Sequence, residues 1–204
     1  MKEVLLIGEV SSDYLILGKT IPQKGTSLLL DEKELPGGSG LNSAFHLYHW
    51  GIPVELWGNP VGADVYGKKI LQYLKEWGIS YHVKEQKEGP TFRCICLVDY
   101  QNQSRSFLIS STEIREDFSF PFEKLQKEPP SICFLDFFLP QARKALPFFP
   151  ETTLLLSQDL KPDSPFIGSI HYLQLSVPEE DWNLGDLEKK ASLYFQGKTK
   201  GIIF

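Results

Sequence analysis

Two polar side chains flank a glycine-rich bend early in the chain, and their chemistry suits a ligand rich in hydroxyl groups. Asp13 ends the segment Gly8-Glu-Val-Ser-Ser-Asp13, and Asn42 ends Pro36-Gly-Gly-Ser-Gly-Leu-Asn42. A carboxylate accepts hydrogen bonds from hydroxyls, and an amide both donates and accepts, so the pair matches what a sugar presents. Gly37 and Gly38 carry no Cβ, which lets backbone N–H groups approach a ligand at the start of a helix, where oxygen acceptors are favoured. Ser11 and Ser39 lie in the same two segments and complete the candidate set. A plainer reading stands beside this one, with Asp13 as a turn residue or cap and Gly37, Gly38 and Gly40 as turn glycines. The segment Gly58-Asn-Pro-Val-Gly62-Ala-Asp64-Val-Tyr-Gly67 reads as structural, with Asp64 capping a helix.

Other patterns carry less. Gly197-Lys198-Thr199 has the ending of a phosphate-binding loop, yet Ser192 stands where its first glycine belongs and a helix precedes it in place of a strand. His46 and His49 share a helix without a neighbouring Glu or a third ligand, so they read as surface or partly packed residues. Cys94 and Cys96 fall on one face of a strand, and with Cys133 they form an odd set of reduced, hydrophobe-like thiols. Asn102-Gln-Ser104 matters as a glycosylation acceptor only in a secreted chain. The 14 phenylalanines, Phe137-Phe138 and Phe148-Phe149 among them, read as core or as a covered interface.

The elements that must position these residues follow from hydrophobic period. Val4–Ile7 is an apolar run bounded by Gly8, as expected of a strand buried on both faces. Residues 14–35, with Leu15, Leu17 and Leu28 to Leu30 separated by Pro22 and Gly25, predict exposed antiparallel strands around a loop. Leu41, Phe45 and Tyr48 recur at helical spacing before Gly51. Val54–Trp57 predicts a strand, and Ile70, Leu71, Leu74 and Trp77 a helix running from Asp64 to Gly78. Phe92–Val98 and Ser106–Ser110 predict a hairpin about Asp99–Gln103. Ile132–Leu135, Thr153–Leu156 and Tyr172–Leu175 read as short buried strands. Leu184, Leu187, Ala191 and Tyr194 then mark a helix, and Gly201–Phe204 begins a strand. This alternation predicts a mainly parallel α/β sheet with a small β appendage.

The 204 residues are enough for one sizeable core, and a 42% hydrophobic, 23% charged composition is that of a globular chain. A net charge of −5 gives no electrostatic reason to seek nucleic acid or an anionic membrane. The apolar run after Met1-Lys2-Glu3 is too short for a signal-peptide core, and no run is long enough to span a bilayer, so a cytoplasmic location is expected.

In order and spacing, the segments at Gly8–Asp13, Pro36–Asn42 and Gly58–Gly67, with Trp77-Gly78-Ile79 after the second helix, resemble the PfkB family of sugar and nucleoside kinases, which includes ribokinase. The likeness covers the chain and is strongest over residues 4–80. It implies a ribokinase-like mainly parallel sheet flanked by helices. Lid segments at about 14–35 and 91–110 would close over the sugar and exclude water. The residues matching Asp13, Gly38 and Asn42 contact sugar hydroxyls in the family, and ATP with Mg2+ is implied as the phosphoryl donor.

The sequence departs from that family on the phosphate side. No Gly-Ala-Gly-Asp segment, which supplies the family's base and anion hole, is present. Ser11 stands where ribokinases usually have Asn, and Ser39 where they often have Lys. Leu156-Ser-Gln-Asp159-Leu-Lys161 resembles a segment that usually reads Asp-Pro-Asn-x-Arg, and Ser176-Val-Pro-Glu179 is a remnant of an Asn-x-x-Glu pattern. The expectation is therefore a single ribokinase-like domain over 1–204 that lacks its C-terminal part, has no catalytic residue of its own and binds a sugar or nucleoside. The alternative is a non-catalytic sugar-binding or interaction module. Homodimerisation through the lid or an exposed C-terminal edge is expected on either reading.

Overall fold

The computed structural model describes residues 3–19, 31–109, 118–176 and 183–204. The chain begins β1 (Val4–Ile7), β2 (Ser11–Gly18), β3 (Asp31–Gly37), α1 (Ser39–His49), β4 (Val54–Trp57), β5 (Val61–Gly62) and α2 (Val65–Trp77). It continues β6 (Ser80–His82), β7 (Glu85–Gln86), β8 (Arg93–Asp99), β9 (Ser104–Ile109), α3 (Glu123–Lys127), β10 (Ile132–Leu135) and α4 (Pro140–Ala145). Last come β11 (Leu154–Gln158), β12 (Tyr172–Gln174), α5 (Leu184–Ser192) and β13 (Gly201–Ile203). The expected segment at Leu28–Leu30, Ser110, and residues 177–179 of the expected Ser176–Glu179 segment lie outside the described residues.

Seven strands form one sheet in the order β13-β12-β11-β10-β1-β4-β6, and every pair in it is parallel. A parallel sheet must be covered on both faces, and β1 shows how the sequence provides for that. Leu5 and Ile7 point into a cluster with Cys133, Leu135, Phe137 and Leu139 on the α3–α4 side. Val4 and Leu6 point the other way, among Leu41, Ala44, Ile70 and Leu74 of α1 and α2. Period-two alternation of apolar side chains thus serves two cores at once.

The four strands β3-β2-β8-β9 make a second sheet. The β2–β3 and β8–β9 pairs are antiparallel, as the lid pattern predicts, but β2 and β8 run parallel. Parallel strands need a long crossover, and here residues 19–92 supply it, which no local hairpin signal reveals.

The helix stops fall where expected. Gly78 ends α2 in a left-handed conformation at φ 72°, and Asp64 begins it by accepting from Gly67 N at 2.8 Å. Asp64 also accepts from Thr91 N at 2.8 Å and Thr91 Oγ1 at 2.6 Å, which fastens the helix start to the segment leading into β8. Burial pushes its carboxyl up, but the bonds from Thr91 and from the Gly67 and Tyr66 amides outweigh that and hold it below the usual value. Asp64→Ala leaves two donors of the buried Thr91 without their acceptor and should cost about 2–3 kcal/mol in urea unfolding. Because the folded pKa is depressed, the wild-type advantage is present above about pH 4 and should shrink as the pH falls through that range.

Candidate functional site

The carboxyl end of β1 meets the amino end of α1 at unusually short range. A Cβ on Gly8 would lie 2.8 Å from Gly40 Cα, and one on Gly40 would lie 2.7 Å from the Gly8 carbonyl carbon, so two glycines are needed for this contact. Close approach lets the Glu9 carbonyl accept from Gly40 N at 3.0 Å and Leu41 N at 3.3 Å. These are first-turn N–H groups, and no side chain caps α1. The backbone of Glu9 is the cap. Gly38 enables it with φ 93° and ψ 151°, and a Cβ there would lie 2.5 Å from Glu9 O.

Three carboxyls gather at this junction. Asp13 comes after β1, as its segment suggests, and it serves as neither turn residue nor cap: it lies inside β2, paired in register with Leu35 of β3 and Cys94 of β8. The loop is shorter than its polar residues suggest, because the buried Ser11 and Ser12 already belong to the strand and Ser12 N donates to Phe92 O at 2.9 Å. The Asp13 side chain lies directly over Gly37, where a Cβ would stand 2.0 Å from Oδ2. Ser11 Oγ donates to Asp13 Oδ1 at 2.7 Å, and the Gly38 N–H also serves this carboxylate. The glycine amides expected to face a ligand are thus partly spent within the chain: Gly38 on Asp13, Gly40 and Leu41 on Glu9. Burial nonetheless leaves the Asp13 carboxyl above its ordinary value.

Asp136 and Glu9 complete the group, and neither is singled out by sequence pattern. Asp136 follows β10, is 5% exposed, and accepts from Phe138 N at 2.9 Å and from the hydroxyl of Ser39. Ser39 is thereby placed at the site by a contact spanning 97 residues. The Glu9 carboxyl is pushed up to about 7, first by burial and then by the charges of Asp136 and Asp13. No basic side chain is paired with any of the three among the described residues. Asn42 stands exposed on the first turn of α1, its own N–H bonded to Gly38 O at 2.9 Å. The structure therefore gathers Ser11, Gly37 and Gly38 around Asp13, while Ser39 bonds separately to Asp136 and Asn42 is tied to Gly38 through the backbone. The signal that could have exposed Glu9 and Asp136 is position: both follow carboxyl ends of parallel strands, where open α/β sheets collect ligands.

Asp159 and Ser176 serve local structure. Asp159, at φ 46°, accepts from Ser176 N at 2.8 Å and Ser176 Oγ at 3.1 Å, joining the ends of β11 and β12. Among the described residues no group of three or more His, Cys, Asp or Glu is arranged to hold a metal ion.

The family model described as pfkB family carbohydrate kinase matches residues 1–137. Ribokinase from Giardia lamblia superposes with a TM-score of 0.77 at 16% identity, covering 99% of this chain and 69% of that one. Ribokinase from Thermotoga maritima gives 0.71 at 15% identity, with 99% and 71% covered. Fructokinase with bound ATP from Xylella fastidiosa gives 0.70 at 14% identity, with 100% and 72% covered. At these identities the structural likeness is one of fold. No curated protein matches the sequence.

Proposed function

Given that the chain belongs to the pfkB family of carbohydrate kinases and has a ribokinase-like fold, we propose that the hollow at Asp13, Gly37, Gly38 and Asn42 holds the sugar of an ATP-dependent sugar phosphorylation. The observation that carries this reading is the pinned Asp13 carboxylate. Ser11 and Gly38 fix it over a glycine at the carboxyl edge of the parallel sheet. A carboxylate held so firmly loses little entropy when it accepts sugar hydroxyls. Asn42 adds an amide that donates and accepts, and Ser11 and Ser39 add hydroxyls. The four-stranded sheet that carries Asp13 would close over the sugar and exclude water.

ATP with Mg2+ is the donor the family implies, and a bound metal would offset charge between the phosphates. The 204 residues hold no Gly-Ala-Gly-Asp segment, which in the family supplies the base for that transfer. We infer that this chain binds sugar and, by itself, transfers no phosphate. The second reading, a non-catalytic sugar- or nucleoside-binding or interaction module, keeps the same pocket. We place the chain in the cytoplasm, which suits its three free thiols, and expect self-association through the four-stranded sheet or the β13 edge.

The test is a thermal-shift panel of pentoses, hexoses and nucleosides, read beside ADP release with ATP and Mg2+. One polyol at 10 mM should raise the wild-type midpoint by about 2–5 °C, and Asp13→Ala should weaken its binding at least about tenfold. ADP release should match the blank. Sugar-dependent turnover would overturn the inference of no transfer, and an undiminished response in Asp13→Ala would overturn the pocket.

A further inference from the structure

A cleft of about 480 Å3 opens past the carboxyl ends of β4 and β6, on the same edge of the sheet as the carboxyl group and beginning at the strand next to β1. Its walls are Gly58 and Pro60 after β4, His82 and Lys84 at and beyond the end of β6, and Phe118 to Lys124 opposite. We propose that this cleft is a binding site for a phosphorylated small molecule, with Lys84, Lys124 and His82 taking the phosphate and the phenylalanine wall taking the rest.

Charge is the first argument. Lys84 and Lys124 are exposed, and neither forms an ion pair among the described residues, so both ammonium groups keep their donors for a ligand. Against them the cleft carries one acid, Glu123. Two lysines lining one hollow favour an anion with more than one acceptor oxygen, which describes phosphate. The carboxyl cluster of Glu9, Asp13 and Asp136 has the opposite character and would repel the same ligand.

Rigidity is the second argument. The His82 imidazole is set from behind: its Nε2 lies 3.1 Å from Glu55 Oε1, and Glu55 is 1% exposed. Trp57 Nε1 donates to that oxygen at 2.6 Å, and the Trp57 ring lies edge-on to His82 with centroids 5.5 Å apart. Trp57 also packs on Phe120 at 5.3 Å, and Phe120 on Phe118 at 5.4 Å. One aromatic chain therefore braces both the histidine and the apolar wall, and a braced site loses less entropy on binding.

Location is the third. Strand carboxyl ends of open α/β sheets collect ligands, and a Gly58 Cβ would meet Val10 Cγ2 at 2.4 Å, so only a thin wall separates this cleft from the Glu9 junction. Asn59 clamps that wall, accepting from Val10 N at 2.8 Å and donating to Val10 O at 3.0 Å. The cleft and the carboxyl cluster are neighbours yet chemically distinct.

The experiment titrates the full 204-residue chain with inorganic phosphate and glucose 6-phosphate, against glucose and chloride at matched ionic strength, by calorimetry and thermal shift. The phosphate compounds should raise the midpoint by about 2–4 °C at 10 mM, and the chloride control should not. The double variant Lys84→Ala/Lys124→Ala, altered only at exposed side chains, should keep the wild-type midpoint without ligand and bind phosphate at least about fivefold more weakly. Asp13→Ala should bind it as the wild type does. No response to either phosphate compound, an undiminished response in the lysine double variant, or a response lost in Asp13→Ala would each overturn the proposal. The last outcome would move the anion to the other pocket, and none of the three bears on whether a sugar binds there.

Discussion

Replacing Gly38 by alanine is expected to cost on the order of 3–5 kcal/mol, enough to leave much of the chain unfolded in mild urea. Two effects combine. The φ 93°, ψ 151° backbone lies in a region that only glycine occupies without strain, which costs about 1–3 kcal/mol for any other residue. The added Cβ would also stand 2.5 Å from Glu9 O, 2.8 Å from Glu9 C and 3.0 Å from Ser11 N. All three atoms are backbone, so no flexible side chain can give way. To make room, the Glu9 carbonyl must leave Gly40 N and Leu41 N, and α1 loses the Glu9 cap.

Two neighbouring substitutions separate these effects. Gly51 has φ 75° with nothing within 4 Å of an added Cβ, so Gly51→Ala should show the conformational cost alone, about 1 kcal/mol. At Gly37 the obstacle is the Asp13 carboxylate, 2.0 Å from the added Cβ, and a side chain can swing aside. Gly37→Ala should therefore lose the sugar response before it loses much stability. Urea midpoints for the three variants, with thermal shifts in the chosen sugar, check the order. Equal losses at Gly38 and Gly51 would show that the Glu9 carbonyl is not confined as described.

Much of the scaffold was legible because the signals that write it are local. The Val4–Ile7 run, the Asp64 cap and the Gly78 stop each depend on a few adjacent residues, and all appear where the pattern puts them. The site was half legible for the opposite reason. Asp13 and the Pro36–Asn42 bend could be named, but what each glycine is for depends on residues distant in sequence. Gly40 is there for Gly8, Gly37 for Asp13 and Gly38 for Glu9. Asp136 illustrates the limit: an aspartate after an apolar strand looks like any turn residue until the β1–β10 pairing brings it to Ser39. Likewise the polar Ser11 and Ser12 carry no apolar strand signal. Strand pairing, which period cannot report, buries them.

That convergence sets the pH dependence of the fold, and Glu9 should dominate it. Its carboxyl titrates near 7 in the folded chain against 4.5 as its ordinary value, so the native state holds a proton there that the unfolded chain has already released. Between those values the folded state binds more protons than the unfolded one, and stability must fall as pH rises. The full contribution is present below about pH 4.5 and is gone above about pH 7. A half-buried group with this displacement corresponds to on the order of 2–3 kcal/mol lost across the window. Glu9→Gln keeps the shape and removes the charge, so the variant should match the wild type near pH 4.5 and exceed it by about 2 kcal/mol at pH 8. Asp13, raised in the same direction, leaves a smaller residual slope in the variant. Asp136→Asn removes one of the charges that lift Glu9 and should flatten the profile in part. Urea unfolding at half-unit steps from pH 4.5 to 8 reads all three. Parallel profiles for wild type and Glu9→Gln would mean that the Glu9 carboxylate faces enough solvent to ionise freely, and the crowding of three carboxyls at the head of α1 would have to be redrawn.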